Sequence, residues 1–87
     1  MQNYPNPFSA STTIEYFLPS NAPVTLTVYN ILGQRVARII EPMKPKGPHS
    51  IVWNGRDENG KKVASGIYFY RLQAGAFSAT KKMVLLR

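Results

Sequence analysis

Apolar and polar residues alternate with a period of two through much of this 87-residue sequence. Successive side chains of a β-strand point to opposite faces of a sheet, so this pattern is typical of strands with one buried face. Residues 12–18 and 24–29 show it most clearly. No segment shows a sustained helical period. The sequence therefore predicts an all-β domain.

Turn-forming residues divide the alternating sequence into six predicted strands. Gly33 lies within residues 30–34, where its access to a positive φ favours a hairpin with a bulge. Three prolines and a glycine within residues 42–48 predict a loop, and the polar residues 54–60 predict a long turn. The predicted strands are residues 12–18, 24–29, 35–40, 49–53, 66–74 and 77–86.

Short strands at a spacing of roughly 8–12 residues indicate a β-sandwich or a small barrel, and the length fits a single domain. A seventh strand is expected at residues 2–4 or at residues 62–64. Ile39 or Ile40 is expected to be buried beside Val36. The predicted core consists of Ile14, Tyr16, Leu18, Leu26, Val28, Val36, Ile51, Trp53, Tyr68, Tyr70, Leu72, Met83 and Leu85.

The sequence contains no cysteine, which excludes disulfides, thiolate metal ligands and a thiol nucleophile. No apolar run approaches the roughly 20 residues that a membrane-spanning helix needs. The chain has no recognisable signal peptide at its start, which is what we expect of a segment cut from a longer protein.

Charge is distributed unevenly along the chain, which carries eleven Lys and Arg against four Asp and Glu. Residues 1–34 contain a single charged residue, Glu15, whereas residues 59–87 contain six cations and no acid. Such a basic region favours an acidic partner, namely an anionic glycolipid, a membrane surface or a nucleic acid. A solvated face that keeps a small domain soluble explains the same charges equally well.

The sequence offers no set of residues that fits a known catalytic arrangement. His49 is the single histidine, and with no cysteine and only four acids it lacks the partners of a catalytic histidine. Asp57 and Glu58 are neighbours in a predicted turn rather than two carboxylates that face each other across a cleft. We therefore predict that the chain is not an enzyme and holds no cofactor.

The polar turn after the fourth predicted strand is the best candidate for a metal site, because calcium prefers several oxygen ligands in one short segment. Asp57 and Asn59, with Asn54 or Glu58, would supply those oxygens. Their spacing departs from the usual calcium-loop pattern, and Arg56 adds a repelling charge. A hydrogen-bonded turn without metal is the favoured interpretation.

Tyr68, Phe69, Tyr70 and Arg71 combine aromatic rings with a cation, as stacking platforms for nucleic acids or sugars do. In an alternating strand, such rings more often fill the core and pack on one outer face. We therefore predict no nucleic-acid binding. Trp53, the single tryptophan, is interpreted as a core anchor.

Several short motifs are spread over nearly the whole chain. They are Asn-Tyr-Pro-Asn-Pro-Phe at residues 3–8, Val-Tyr-Asn-Ile-Leu-Gly-Gln-Arg-Val at residues 28–36, Trp-Asn-Gly-Arg-Asp through to a glycine at residues 53–60, Val-Ala-Ser-Gly-Ile-Tyr-Phe-Tyr-Arg-Leu at residues 63–72, and Thr-Lys-Lys-Met-Val-Leu-Leu at residues 80–86. Together they resemble the type A C-terminal sorting domain of the type IX secretion system of Bacteroidota. That family is similar to the immunoglobulin-like domain of the flagellar hook-capping protein. Asn54 departs from the family, which usually has Asp there.

The resemblance implies an immunoglobulin-like β-sandwich of about seven mostly antiparallel strands with Greek-key topology. It also implies the C-terminal domain of a larger exported protein, often a hydrolase or an adhesin. Such a domain directs its cargo from the periplasm through the outer-membrane type IX translocon to the cell surface or the extracellular space. A sortase-like peptidase commonly removes the domain and joins the cargo to anionic lipopolysaccharide.

The resemblance places the export signal at the end of the chain, where positive charge also accumulates. The predicted translocon-recognition residues are Lys81, Lys82, Met83, Val84, Leu85, Leu86 and Arg87. Two other functions remain open, a carbohydrate-binding module and a structural spacer appended to an extracellular enzyme. Retardation in gels that contain glycans would indicate the first, whereas a free position within the parent protein would indicate the second.

Overall fold

A computed structural model of the protein describes residues 3–87, and within that range the chain forms seven β-strands and no helix. Every pairing within the sheets is antiparallel. One sheet has three strands in the order β1-β2-β5, and the other has four in the order β4-β3-β6-β7. The strands are β1 (Asn3–Tyr4), β2 (Thr12–Leu18), β3 (Ala22–Tyr29), β4 (Arg35–Lys44), β5 (Gly47–Trp53), β6 (Gly66–Ala74) and β7 (Phe77–Leu85). This architecture confirms the predicted immunoglobulin-like Greek-key sandwich.

The seventh strand is β1, which pairs with β2 through Asn3 opposite Ile14 and Tyr4 opposite Thr13. The first of the two predicted locations is therefore right for residues 3 and 4, and Gln2 lies outside the described residues. The alternative at residues 62–64 is wrong, because that segment makes only an isolated bridge between Lys62 and Arg56.

The predicted loop at residues 42–48 is also wrong, since β4 continues to Lys44 and β5 begins at Gly47. Both strands lie at sheet edges, where a proline costs no ladder hydrogen bond if its missing N–H faces away from the neighbouring strand. The pairing of β3 with β4 also shifts register between Ala22 and Val24, and this irregularity accommodates one extra residue of β4.

The hydrophobic core lies between the two sheets and is anchored by Trp53, as predicted, with 2% of its surface exposed. The rings of Phe8 and Tyr68 meet Trp53 edge-on at centroid distances of 5.8 and 5.7 Å. Phe8 is a buried core residue that the alternation did not predict. Of the predicted core residues, Val36 alone is only half-buried, and it packs against the core from the side.

The turn between β3 and β4 follows the predicted hairpin. Gly33 has φ of 79°, and the side-chain Oδ1 of Asn30 accepts hydrogen bonds from the backbone N–H groups of Leu32 and Gln34. The register shifts between Val28 and the next residue of β3, which is the predicted bulge. Further along β4, Ile39 is half-buried against the core, whereas Ile40 is exposed.

Candidate recognition surface on the last strand

The predicted recognition residues at the end of the chain, in β7 and just after it, differ in how deeply they are buried. Met83 and Leu85 are fully buried and belong to the core. Val84 is half-buried, and Lys81 and Lys82 are exposed. Leu86 follows the strand with 57% of its surface exposed. A partner of the folded domain can therefore contact the two lysines and Leu86, but it cannot contact Met83 or Leu85.

The two lysines lie on opposite faces of the four-stranded sheet. Lys82 pairs with Phe69 on the outer face, and Lys81 pairs with Tyr70, whose side chain points toward the core. Residues 3–87 contain two ion pairs, Arg35 with Glu58 at 3.3 Å and Lys44 with Glu41 at 3.2 Å, and neither involves β7. The lysine charges of β7 are thus available to an external acid.

The chain before β2 covers the end of β7. The Phe8 N–H donates to the Val84 carbonyl at 3.0 Å, and the Leu86 N–H donates to the Phe8 carbonyl at 2.8 Å. The Asn6 Oδ1 accepts from the Val84 N–H at 3.0 Å. We call residues 6–8 the N-terminal clasp. It runs parallel to β7 and satisfies the N–H and C=O of Val84 and the N–H of Leu86.

Arg87 holds the long loop between β5 and β6 rather than projecting as a free cation. Its Nη2 donates to the Gly55 carbonyl at 2.6 Å, and its Nε donates to the Val63 carbonyl at 2.8 Å. The Arg87 backbone N–H donates to the Ser65 Oγ at 2.9 Å. Gly55 has φ of 70°, and a Cβ there would lie 2.9 Å from Nη2 and 3.1 Å from the Ala10 carbonyl, so both the backbone conformation and the close approach favour glycine.

The loop that was weighed as a calcium site uses its polar groups internally. The Asp57 Oδ1 accepts from the N–H groups of Asn59 and Lys61, both at 2.9 Å. The Arg56 guanidinium donates to the Gly60 carbonyl at 2.9 Å. Among the residues that the structure describes, no three His, Asp or Glu side chains come together to hold a metal ion. The geometry is that of a hydrogen-bonded turn.

The aromatic residues of β6 do not form one platform. Tyr68 and Tyr70 are buried, whereas Phe69 and Arg71 belong to the outer face.

His49 Nε2 lies 2.6 Å from the Pro45 carbonyl, and its ring packs at 5.6 Å from that of Tyr16. These contacts give His49 a structural role in β5. No helix in residues 3–87 is long and apolar enough to cross a membrane.

Burial raises the pKa of three core tyrosines, because the ionised phenolate loses its hydration. Nearby Glu41 adds to the rise in the pKa of Tyr16. The Arg87 charge partly offsets the rise for Tyr68, and the backbone N–H of Asn3 partly offsets the rise for Tyr70. Among residues 3–87, the Tyr70 hydroxyl has no hydrogen-bond partner.

Sequence comparison identifies a matching family. The profile of the FlgD Ig-like domain matches residues 7–77 of the chain. A search of curated protein sequences gives no significant match.

Solved structures with the same fold include secretion and flagellar proteins. Dimeric latent PorU from Porphyromonas gingivalis superposes with a TM-score of 0.82 at 25% identity, over 98% of this chain and 9% of PorU. FlgD from P. aeruginosa gives a TM-score of 0.69 at 25% identity, over 85% of this chain and 58% of FlgD. PorZ, described as an essential surface component of the type IX secretion system of P. gingivalis, gives 0.67 at 21% identity, over 99% of this chain and 11% of PorZ. The chain thus spans less than two thirds of each of these proteins, and the likeness to PorZ shows the fold alone.

Proposed function

Because the chain belongs to the FlgD Ig-like domain family, we propose that it is an appended sorting domain without catalytic activity. In this proposal it directs an exported cargo through the outer membrane by type IX secretion and then to attachment at the cell surface. The likeness to PorU carries the proposal, since it spans 98% of this chain but only 9% of PorU. A module appended to a much larger protein gives such a ratio.

The exposed part of β7 supplies the proposed contact with the secretion machinery. Lys81, Lys82 and Leu86 are accessible without unfolding, whereas Met83 and Leu85 build the strand that presents them. Arg87 contributes indirectly, by holding the loop at Gly55 beside the end of the strand. The proposed partners are the outer-membrane translocon and a sortase-like peptidase that transfers the cargo to anionic lipopolysaccharide, after transit through the periplasm.

A reporter fusion tests the sorting role. The 87-residue chain is attached to the C-terminus of a reporter that carries its own signal peptide, and the fusion is expressed in a host with a type IX system. We expect the reporter at the cell surface, and in the periplasm of a host without the translocon. A reporter that stays in the periplasm of both hosts while the fused domain is folded contradicts the proposal.

Charge reversal then tests the contact. The pair Lys81→Glu and Lys82→Glu changes exposed side chains, so its effect on stability is expected within about 0.5 kcal/mol. We expect it to leave the reporter in the periplasm. The matched control is Lys61→Glu with Lys62→Glu, which makes the same change in net charge on two exposed residues of the long loop. Equal export of both variants would assign the lysines of β7 to a solvated face.

A structural spacer is the second candidate function, and the family match favours it. The match to this chain covers 58% of FlgD from P. aeruginosa, so FlgD contains this fold as one part of a longer chain. In a spacer, export of the reporter would not depend on the domain. Removal of the domain from an exported parent protein distinguishes the two, because a sorting domain is required for export and a spacer is not.

A further inference from the structure

Within residues 3–87, no strand covers the outer edge of the first half of β7. The N–H and C=O of Val84 point away from β6, toward the N-terminal clasp. Outward-pointing backbone groups recur at every second residue of an antiparallel edge strand. The same direction therefore applies to Lys82, Thr80 and Ser78, which lie beyond the reach of the clasp. These residues offer three N–H donors and three carbonyl acceptors in one row.

The other long edge strands are interrupted. β4 contains Pro42 and pairs with β3 through two register shifts, and the Glu58 N–H of the long loop donates to the Val36 carbonyl at 3.2 Å. β5 contains Pro48. β7 contains no proline and pairs with β6 over its whole length without a register shift. A regular, unprotected edge is the template that an additional strand needs.

The charges on this edge select its occupant. The side chains of Lys81 and Lys82 lie at one end of the open row, on opposite faces of the sheet, and Arg71 lies beside Thr80 on the neighbouring strand. Edge-to-edge pairing with a second copy of the chain would bring together two domains that each carry a net charge of +7. An incoming strand with glutamate or aspartate on both faces would instead pair with these cations.

We propose that the edge from Ser78 to Lys82 binds an extended acidic segment of a partner protein by β-strand addition. The backbone groups of the row supply the hydrogen bonds, and Lys81 and Lys82 select acidic side chains. This inference goes beyond the sorting role, because the edge would capture such a segment whichever protein carries it. A binding measurement on the purified chain is therefore independent of export.

The probe is a short capped synthetic peptide in which pairs of glutamates alternate with pairs of valines, so that both faces of the strand carry glutamate. It is added to the ¹⁵N-labelled chain and followed by NMR. We expect saturable shifts centred on Ser78, Thr80 and Lys82, and slower hydrogen exchange at these three N–H groups. The same peptide with alternate N-methylated residues cannot pair as a strand, and it is expected not to bind. Equal binding of both peptides, or saturable shifts elsewhere on the domain, would overturn the proposal.

Substitutions separate the backbone contribution from the charge contribution. Thr80→Pro removes one outward N–H and is expected to weaken binding roughly five- to tenfold, whereas Thr80→Val keeps that N–H and is expected to bind normally. Lys81→Gln with Lys82→Gln is expected to weaken binding at low salt and to flatten its salt dependence. Lys61→Gln with Lys62→Gln, the matched control, is expected to do neither.

Two other results would show that the edge from Ser78 to Lys82 binds a second copy of the chain or a membrane surface instead of an acidic segment. Concentration-dependent dimerisation with the same three N–H groups protected would make a second copy the occupant. Shifts of the lysines on anionic phospholipid vesicles, together with no response to the peptide, would make the region a charged surface for membranes. In either case strand addition by an acidic partner is wrong.

Discussion

The two halves of β7 follow one alternating pattern but have opposite environments. In the second half, Met83 and Leu85 are fully buried and the N-terminal clasp covers the outer edge. In the first half, Lys81 has the same inward register as Met83, yet it is exposed, and the edge beside it is open. The opposing sheet is one strand narrower and its β1 has only two residues. Burial on an edge strand thus depends on what lies across from it, and alternation alone does not determine it.

The largest difference between the two halves should appear when a side chain is truncated. Leu85→Ala is expected to lower the free energy of unfolding by about 2–5 kcal/mol, because it removes a fully buried side chain and leaves a cavity. Lys81→Ala, in the same inward register, is expected to change it by no more than about 0.5 kcal/mol. Chemical denaturation measures both, and similar losses would show that the halves do not differ.

The next difference concerns the residue that follows β7. Arg87→Met keeps much of the side-chain volume but removes the hydrogen bonds to the Gly55 and Val63 carbonyls. We expect a loss of about 1–2 kcal/mol and faster proteolysis of the loop between β5 and β6. Lys62→Met removes the same charge from an exposed site and serves as the control. If the two variants unfold alike, Arg87 does not hold the loop.

Two tyrosines of β6 lie opposite the two halves of β7. Tyr68 pairs with Met83 in the second half, and Tyr70 pairs with Lys81 in the first half. The Tyr68 hydroxyl donates to the Ala64 carbonyl at 2.7 Å, so Tyr68→Phe is expected to cost about 1 kcal/mol. The Tyr70 hydroxyl is buried and has no hydrogen-bond partner in the described part of the chain, so Tyr70→Phe is expected to be neutral or stabilising. Thermal unfolding of the two variants gives their order, and the reverse order would contradict these contacts.

The smallest expected effect is a pH dependence. Burial raises the pKa of Tyr70 in the folded domain above the value of about 10 that tyrosine has in an unfolded chain. The folded state therefore binds the phenolic proton more tightly, and its contribution to stability is complete below about pH 10 and is lost as the pH rises through the folded-state pKa. Tyr70→Phe is expected to flatten the fall in stability under alkaline conditions. Equal slopes for the variant and the parent would show that Tyr70 ionises as easily in the folded domain as in the unfolded chain.

The alternation predicted most strands and core residues because an antiparallel sheet with one buried face imposes a period of two. Residues 12–18 and 66–74 were predicted with their observed bounds. The prediction failed at residues 42–48, where an edge strand tolerates prolines that a central strand would not. Phe8 was missed because it stands outside any alternating run, and its burial depends on contact with residues almost at the other end of the chain.

The candidate site was predicted only in part. The positive charge of Lys81 and Lys82 is visible in the sequence, and their exposure agrees with it. The role of Arg87 was not predictable, because it depends on the approach of the Gly55 and Val63 carbonyls, more than twenty residues away along the chain. The open edge likewise becomes visible only once the order of the strands is known.

The parallel contact between the N-terminal clasp and the end of β7 has a mechanical consequence. Suppose that tension is applied to the chain before the clasp and after β7. It then pulls these two parallel segments along their lengths in opposite directions. The bonds that Phe8 makes with Val84 and Leu86, at 3.0 and 2.8 Å, then carry the load together in shear. An antiparallel pair pulled apart from one end breaks its bonds one after another. A force transmitted through the chain would therefore meet a cooperative resistance at the clasp before the sheets begin to separate.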